Sequence, residues 1–232
     1  DKGSKGKVVR LLKSLYGLRI APRRWFDTFT AYLKSRGWVF NEREPGLARH
    51  PKLNLIMSIY VDDAYIGGPI KKVIDKEVKE ILDHLGGKVV PGENLPDGTI
   101  KRDMLGATLL INREKKWFKI HAKEAIERCL EKYNMKDCRT AISPSLRNAR
   151  LTEGNPSNFP LRNLIGSLLH IAIIARPDIS FSLQQCARHT ANPTEGSVSA
   201  AKRVLAYLKG TLEDGPECSE EIESSFRDTY EC

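Results

Sequence analysis

The feature that most limits how this chain can fold is a dense apolar run, Leu53 to Val61, that stops at two adjacent carboxylates and then resumes. Asp62 and Asp63 interrupt it, Ala64-Tyr65-Ile66 continue it, and Gly67-Gly68 close it. Runs of this length, rich in Ile and aromatic residues and bounded by turn formers, read as strands. Two charges inside an apolar strand are untenable, and Asp is a turn former. The segment therefore predicts strand, tight turn, strand. Its apolar flanks place the turn in the core of a sheet.

Two carboxylates side by side repel each other, and burial makes the repulsion worse. A divalent cation would offset it. Mg²⁺ is a hard ion commonly held by one or two carboxylates plus substrate phosphates. Two such ions roughly 4 Å apart serve nucleotidyl transfer by activating a 3′-hydroxyl and stabilising the departing pyrophosphate. Read without that chemistry, Tyr60-Val61-Asp62-Asp63 is an ordinary polar turn, and both readings stand at this point.

Elsewhere the pattern alternates between helix and hairpin. A basic lead-in runs to a short strand at Val8-Val9-Arg10-Leu11-Leu12. Trp25, Phe29 and Leu33 recur at helical spacing after Pro22, and Gly37 ends that helix. Residues 70–85 form an amphipathic helix, with Ile70, Val73, Ile74, Val78, Ile81, Leu82 and Leu85 on one face. Leu105 to Ile111 and Trp117 to His121 read as strands around a turn at residues 112–116, followed by a helix over about 123–134. Residues 139–160 are rich in Pro, Ser and Asn and read as a linker. Three helices follow, near 161–174, 178–191 and 194–209, with Pro177 and Pro193 at their starts. Strands that arrive as hairpins among helices predict an α+β fold with an antiparallel sheet.

Charge narrows the partners. The net charge is +9, and it is uneven. Residues 1–52 hold 13 Lys/Arg against 4 Asp/Glu, whereas residues 213–232 hold 1 against 8. A basic body suits a polyanion such as nucleic acid, or is simply a solvated surface. The acidic tail repels phosphate and reads as disordered. No apolar run is long enough to span a bilayer, so no membrane partner is expected. The chain shows no signal peptide and no initiator Met, which suggests a processed or incomplete chain. The cysteines (Cys129, Cys138, Cys186, Cys218 and Cys232) are odd in number and lack CxxC spacing. They predict reduced thiols inside a cell rather than a zinc site. The five histidines also lack ligand spacing, and His170 reads as a core residue. Ser167 has no His or Asp pattern around it, which excludes a Ser-His-Asp hydrolase. Trp25, Trp38 and Trp117 read as core or sheet-packing residues.

Taken together, several blocks resemble the reverse transcriptases of copia-type LTR retrotransposons. Tyr60-Val61-Asp62-Asp63, between Ile56-Met57-Ser58-Ile59 and Ala64-Tyr65-Ile66-Gly67-Gly68, is similar to that family's active-site hairpin. Leu15-Tyr16-Gly17-Leu18-Arg19-Ile20-Ala21-Pro22-Arg23-Arg24-Trp25 resembles the segment before its palm helix. Leu105-Gly106 within Met104 to Ile111 resembles the hairpin that grips the primer, and Ile120-His121-Ala122-Lys123 through Asn134-Met135 resembles the start of the thumb. Leu164 to Leu169, Ala175-Arg176-Pro177-Asp178-Ile179, Asn192-Pro193-Thr194-Glu195 and Ala201 to Thr211 are similar to the stretch leading toward RNase H. The blocks run in the family's order over most of residues 7–212.

The resemblance implies a right-hand polymerase: the C-terminal part of the palm at residues 1–111, a thumb-like segment at 112–150, a helical connection at 151–212 and an acidic tail at 213–232. It implies RNA-directed DNA synthesis with two Mg²⁺ ions on a primer–template duplex and a dNTP. Asp62 and Asp63 would be the catalytic metal ligands. Val61 would lie against the primer end, and Tyr60 would be a nucleic-acid-binding residue beside it in sequence. Gly17 and Arg19 would sit near incoming nucleotide or template, and Leu105 and Gly106 would help place the primer 3′ end. A cytoplasmic particle of the parent element is the implied location. Three departures bear on this. The family carries a further catalytic Asp on a strand upstream of the Leu15-Tyr16-Gly17-Leu18 block, and that segment and the fingers are expected to be missing here. Ile20 stands where the family usually has Gln. After Lys209-Gly210-Thr211 the resemblance to RNase H stops. The isolated chain is thus expected to be inactive, and a non-catalytic nucleic-acid-binding remnant of a degenerate element is the alternative. A protein-interaction domain whose acidic tail binds a basic partner is a third possibility.

The charge distribution makes one prediction on its own. The logarithm of the association constant for a nucleic-acid duplex should fall linearly with log salt, by about 0.7–0.9 per neutralised phosphate. Fluorescence anisotropy across a salt series measures it, and a flat line would sink both nucleic-acid readings.

Overall fold

Trp25, Phe29 and Leu33 lie on one helix, α1 (Ala21–Ser35), with Pro22 in its first turn, where a missing N–H is harmless. Phe29 and Leu33 are buried, while Trp25 sits at the rim of the core, 36% exposed. The computed structural model describes residues 11, 14–15, 17–145 and 151–219, and they form two units. One runs to Val89 and the other starts at Val90. The strand expected at Val8–Leu12 lies outside the described residues, apart from Leu11.

In the first unit, four antiparallel strands follow α1: β1 (Val39–Phe40), β2 (Leu47–His50), β3 (Leu55–Tyr60) and β4 (Asp63–Gly67). Their order in the sheet is that of the sequence. β3 alternates strictly, with Leu55, Met57 and Ile59 buried and Ile56, Ser58 and Tyr60 exposed. A sheet with one covered face requires that period of two. The covered face is closed by α1 and by α2 (Lys71–Leu85), which pack Phe29, Leu33 and Ile81 against Trp38, Ala48 and the inward β3 residues. β1 and β2 have no clear signature in the sequence, because they are short and mix Arg49 and His50 with small residues.

The α2 helix forms as its amphipathic pattern predicts, but its most buried residue is Glu77, which lies on the apolar stripe. Glu77 Oε2 pairs with Arg36 Nη2 at 2.6 Å, and its Oε1 accepts from Arg36 Nε at 3.0 Å and from the Trp38 indole at 2.9 Å. Hydrogen bonds from Arg36 hold its carboxyl below the ordinary range and outweigh the opposing effect of burial. Ile70, expected on the buried face, instead caps the helix and is exposed.

The second unit holds a five-stranded antiparallel sheet of β5 (Glu93–Asn94), β6 (Ile100–Met104), β7 (Ala107–Asn112), β8 (Trp117–His121) and β9 (Glu217–Ser219), in that order. Its helices are α3 (Lys123–Lys132), α4 (Leu161–Ile174), α5 (Ser180–Ala187) and α6 (Glu195–Gly210), with a 3₁₀ turn at Pro177–Ile179 before α5. Leu130, Leu164, Leu168, Ile171, Leu183 and Val204 form the centre of their shared core. Thr194 caps α6 in a reciprocal capping box with Ser197. The Pro/Ser/Asn-rich stretch before α4 is tied to that cap: Thr194 Oγ1 donates to the Leu151 carbonyl at 2.6 Å, and Ser157 N–H donates to that of Pro193. Arg176 is almost fully buried. It donates to both Asp178 oxygens (3.0 and 2.7 Å) and to the Thr211 carbonyl (2.7 Å).

The chain divides into two units at 89/90, and the β6–β7 hairpin lies in the unit that holds α3 to α6. The physical reason is that β7 pairs with β8 and packs on α3. Several expectations need correcting. The segment after Glu213 was expected to be disordered, yet residues 213–219 dock on β8. Ile120 N–H donates to the Pro216 carbonyl at 2.9 Å, and Lys119 and Lys123 pair with Glu217 and Glu213. Opposite charges on neighbouring segments overcame the polar composition. Residues 220–232 lie outside the described residues. His170 is exposed on α4 rather than in the core. Trp117 is half-buried and donates its indole N–H to Glu217. Among the described residues no helix is long and apolar enough to cross a membrane. Cys129, Cys138, Cys186 and Cys218 are free thiols, and burial pushes that of Cys186 up to about 11.

The Glu77 cluster yields two predictions. Glu77→Ala leaves the buried Trp38 N–H without its partner and the Arg36 guanidinium with Glu80 alone. The full loss for a buried pair is 3–5 kcal/mol, and because Arg36 is a quarter exposed we expect about 2–3 kcal/mol in urea unfolding. Because Glu77's carboxyl titrates below its unfolded value, its stabilisation is complete above the ordinary carboxylate range. It is lost as pH falls below about 4 through the folded value. Glu77→Gln should flatten that acid limb of the stability–pH curve; an unchanged limb would show that Glu77 does not contribute to it.

Candidate active site

Tyr60 pairs with Asp63, which leaves Val61 and Asp62 as a two-residue loop between β3 and β4. Asp63 is thus the first residue of β4 and not part of the loop proper. Val61 has φ +57°, and Asp62 is not in the positive-φ region. That sign pattern belongs to a type II′ hairpin turn, whose first position favours Gly. A β-branched side chain there is strained, by roughly 1–3 kcal/mol.

Against expectation the turn is not in the sheet core. Tyr60 is 60% and Val61 57% exposed, and both aspartates are exposed. The reason lies in register. Tyr60, Ser58 and Ile56 face Asp63, Tyr65 and Gly67 across the hairpin, on the sheet face opposite the one α1 and α2 cover. The desolvation penalty inferred from the apolar flanks therefore does not arise. Among the described residues, neither carboxylate has a hydrogen-bond or ion-pair partner. Two adjacent, water-facing, unpartnered carboxylates form an oxygen donor set that suits a hard cation such as Mg²⁺. No third His, Cys, Asp or Glu joins them among the described residues.

The N-terminal end of α1 reaches this turn. The indole N–H of Trp25 donates to the Val61 carbonyl at 3.2 Å, and the ring stacks on Phe29 with centroids 5.6 Å apart. Just before it, Arg19, Ile20, Arg23, Arg24 and Asp27 line an open depression of about 440 Å³. Ile20 is half exposed there and occupies the N-cap position of α1. Gly17 has φ +89° in the exposed turn before α1, and a Cβ would meet no atom within 4 Å. The backbone conformation rather than space calls for glycine at this position.

Leu105 and Gly106 form the two-residue turn between β6 and β7, in the second unit. Both have positive φ, +55° and +85°, the signature of a type I′ turn. Gly106 N–H donates to Asp103 Oδ1 at 3.1 Å. His170 Nε2 lies 3.7 Å from where a Gly106 Cβ would stand, so the turn abuts α4. The sequence places a strand at Leu105, but the residue is a half-buried turn residue instead.

The structure thus brings Tyr60, Val61, Asp62 and Asp63 together at one tip. It adds Trp25, which the sequence offers only as a packing residue. Nothing in sequence spacing signals a contact across 36 residues. Arg23 and Arg24 also join Arg19 at the start of α1, a clustering visible in the sequence only as part of a basic stretch.

With this geometry in view, comparison with known proteins is direct. Residues 1–147 match the family described as reverse transcriptase (RNA-dependent DNA polymerase), and the chain belongs to that family. Its relatives include Pol polyproteins of plant transposons of the copia type. The chain is 30% identical over 91% of its length to the retrovirus-related Pol polyprotein from transposon TNT 1-94 of Nicotiana tabacum. It is 28% identical over 93% of its length to that from transposon RE2 of Arabidopsis thaliana. It is 21% identical over 90% to the Transposon Ty1-DR1 Gag-Pol polyprotein of Saccharomyces cerevisiae. The chain spans 16%, 14% and 12% of those proteins' own lengths. No solved structure matches it.

The strained loop predicts the effect of one substitution. Val61→Gly should leave stability unchanged or raise it by up to about 1 kcal/mol, since relief of the left-handed β-branched conformation offsets glycine's added chain entropy. Thermal unfolding measures it. A loss above about 1 kcal/mol would mean the turn is not strained.

Proposed function

We propose that this chain supplies the carboxylate turn of an RNA-directed DNA polymerase site within a retrotransposon polyprotein. The observation that carries the proposal is the unpartnered Asp62–Asp63 pair, held on an exposed hairpin tip of the open sheet face. Asp62 and Asp63 would hold Mg²⁺, which when bound lowers the barrier to nucleotidyl transfer by neutralising charge on the reacting phosphates. Arg19, Arg23 and Arg24, at the end of α1 that Trp25 ties to the turn, would attract the phosphates of incoming nucleotide or template. Gly17 keeps the chain there in its turn. Tyr60 and Val61, exposed at the tip, would lie against the primer end. Leu105 and Gly106 would place the primer 3′ end, and the basic body would hold the duplex largely through phosphates.

On this proposal residues 1–111 are the C-terminal part of the palm, 112–150 a thumb-like segment and 151–212 a helical connection. The substrates are a primer–template and a dNTP, and the setting is a cytoplasmic particle of the parent element. A two-ion site needs more ligands than the two carboxylates described here. A further ligand would come from elsewhere in the polyprotein. That same count favours the second reading, in which the isolated chain binds nucleic acid without catalysis.

The test is Mg²⁺-dependent primer extension on an RNA template, for the chain alone and for the chain within a longer Pol segment, each beside Asp62→Asn. Extension that falls to background in Asp62→Asn is the expected result. Extension indifferent to that substitution would remove Asp62 from the metal site. Duplex binding without extension in either form would leave the remnant reading.

A further inference from the structure

We propose that Trp25 is a positioning residue that sets the orientation of the Val61–Asp62 peptide and thereby the aim of the two carboxylates. The feature it acts on is the loop itself. In a two-residue hairpin, types I′ and II′ differ chiefly in which way the central peptide plane faces. Here that plane is the one joining Val61 to Asp62. Its carbonyl is the atom to which the Trp25 indole donates, at 3.2 Å. One hydrogen bond therefore selects one of two nearby turn conformations.

Three further facts support this role. Val61 has φ +57°, a conformation a β-branched residue does not hold unaided, so something outside the turn must stabilise it. The anchor is rigid: Trp25 stacks on Phe29, which is buried against the sheet core in the next turn of α1. Finally, Trp25 is 36% exposed at the rim of the core, so its ring packs on Phe29 while its N–H still reaches the turn. The carboxylates of Asp62 and Asp63 follow the peptide plane next to them. Asp62 contributes the nitrogen of this peptide and Asp63 follows it directly, so a change of the plane alters the backbone from which both carboxylates project.

The consequence for metal binding rests on the assignment of Asp62 and Asp63 as cation ligands; the consequence for the turn does not. Two readouts keep them apart. Trp25→Phe retains the ring and removes only the donor. Amide hydrogen exchange should quicken by about two- to tenfold at residues 60–64, the range that one net hydrogen bond spans, while protection along α1 around Phe29 and Leu33 stays as it was. Mn²⁺ affinity, followed by water proton relaxation, should weaken by a similar factor. Trp117→Phe, which also removes one indole donor but in the other unit, should leave both unchanged. Unchanged exchange at residues 60–64 in Trp25→Phe would overturn the proposal. So would lost protection spread along the whole of α1, since that would make Trp25 a packing residue only. If the wild-type chain binds Mn²⁺ in a manner indifferent to Asp62→Asn, the metal assignment fails, and exchange alone still decides the role of Trp25.

Discussion

The first unit is organised around a carboxylate that should not, by side-chain type, be where it is. Glu77 sits on the apolar stripe of α2 and is nearly inaccessible to water. It is tolerated because Arg36 meets it with two nitrogens and Trp38 gives it the indole N–H. Arg36 is the last cap of α1, Trp38 precedes β1, and Glu77 is mid-α2, so one charge joins three elements. His50 adds to the frame: its Nε2 lies 2.9 Å from the Arg36 carbonyl, and its Nδ1 accepts from Leu53 N–H, which makes Nε2 the donor. Removing Glu77 leaves the buried Trp38 N–H unpaired, and removing Arg36 leaves the buried Glu77 carboxylate without its counter-charge; either penalty exceeds the modest net value of one bond.

What this frame supports is a sheet with one face closed and one open. With α1 and α2 fixed on the inner face, the alternation of β3 sends Tyr60 and, across the hairpin, Asp63 to the outer face. The carboxylates stay hydrated and available to a cation. Had the hairpin slipped by one residue, Asp63 would face the core and the apolar set would face water, which is why register is strongly specified here. The second unit uses a parallel device. Arg176, buried at the end of α4, is satisfied by Asp178 and the Thr211 carbonyl and lies 5.2 Å from the Tyr207 ring centroid, so it ties α4 to α6.

How far the sequence could be read depended on whether the signal was local. Helical stripes, the interrupted run at Leu53–Ile66 and the proline-marked helix starts are local patterns, and α1, α2, α4, α5 and α6 follow from them. β1, β2, β5, β6 and β9 escaped because short or charge-rich strands take their identity from a neighbour rather than from their own alternation. The docking of residues 213–219 escaped for a related reason. Glu213 and Glu217 look like a solvated tail until Lys123 and Lys119 are set beside them. The exposure of the Asp62–Asp63 turn was misjudged because apolar flanks reveal that a hairpin is buried on one face, not how far its tip extends.

The sequence by itself determined the family, the alternation of hairpins and helices, and the identity of the carboxylate pair. These are carried by residue type and spacing, which survive in any conformation. Only the tertiary structure decided which way that pair points, that Glu77 belongs inside, that the β6–β7 hairpin sits with the helices, and that Trp25 meets Val61. Each of these turns on contacts between residues far apart in the chain, whose energies exist only once the backbone has folded.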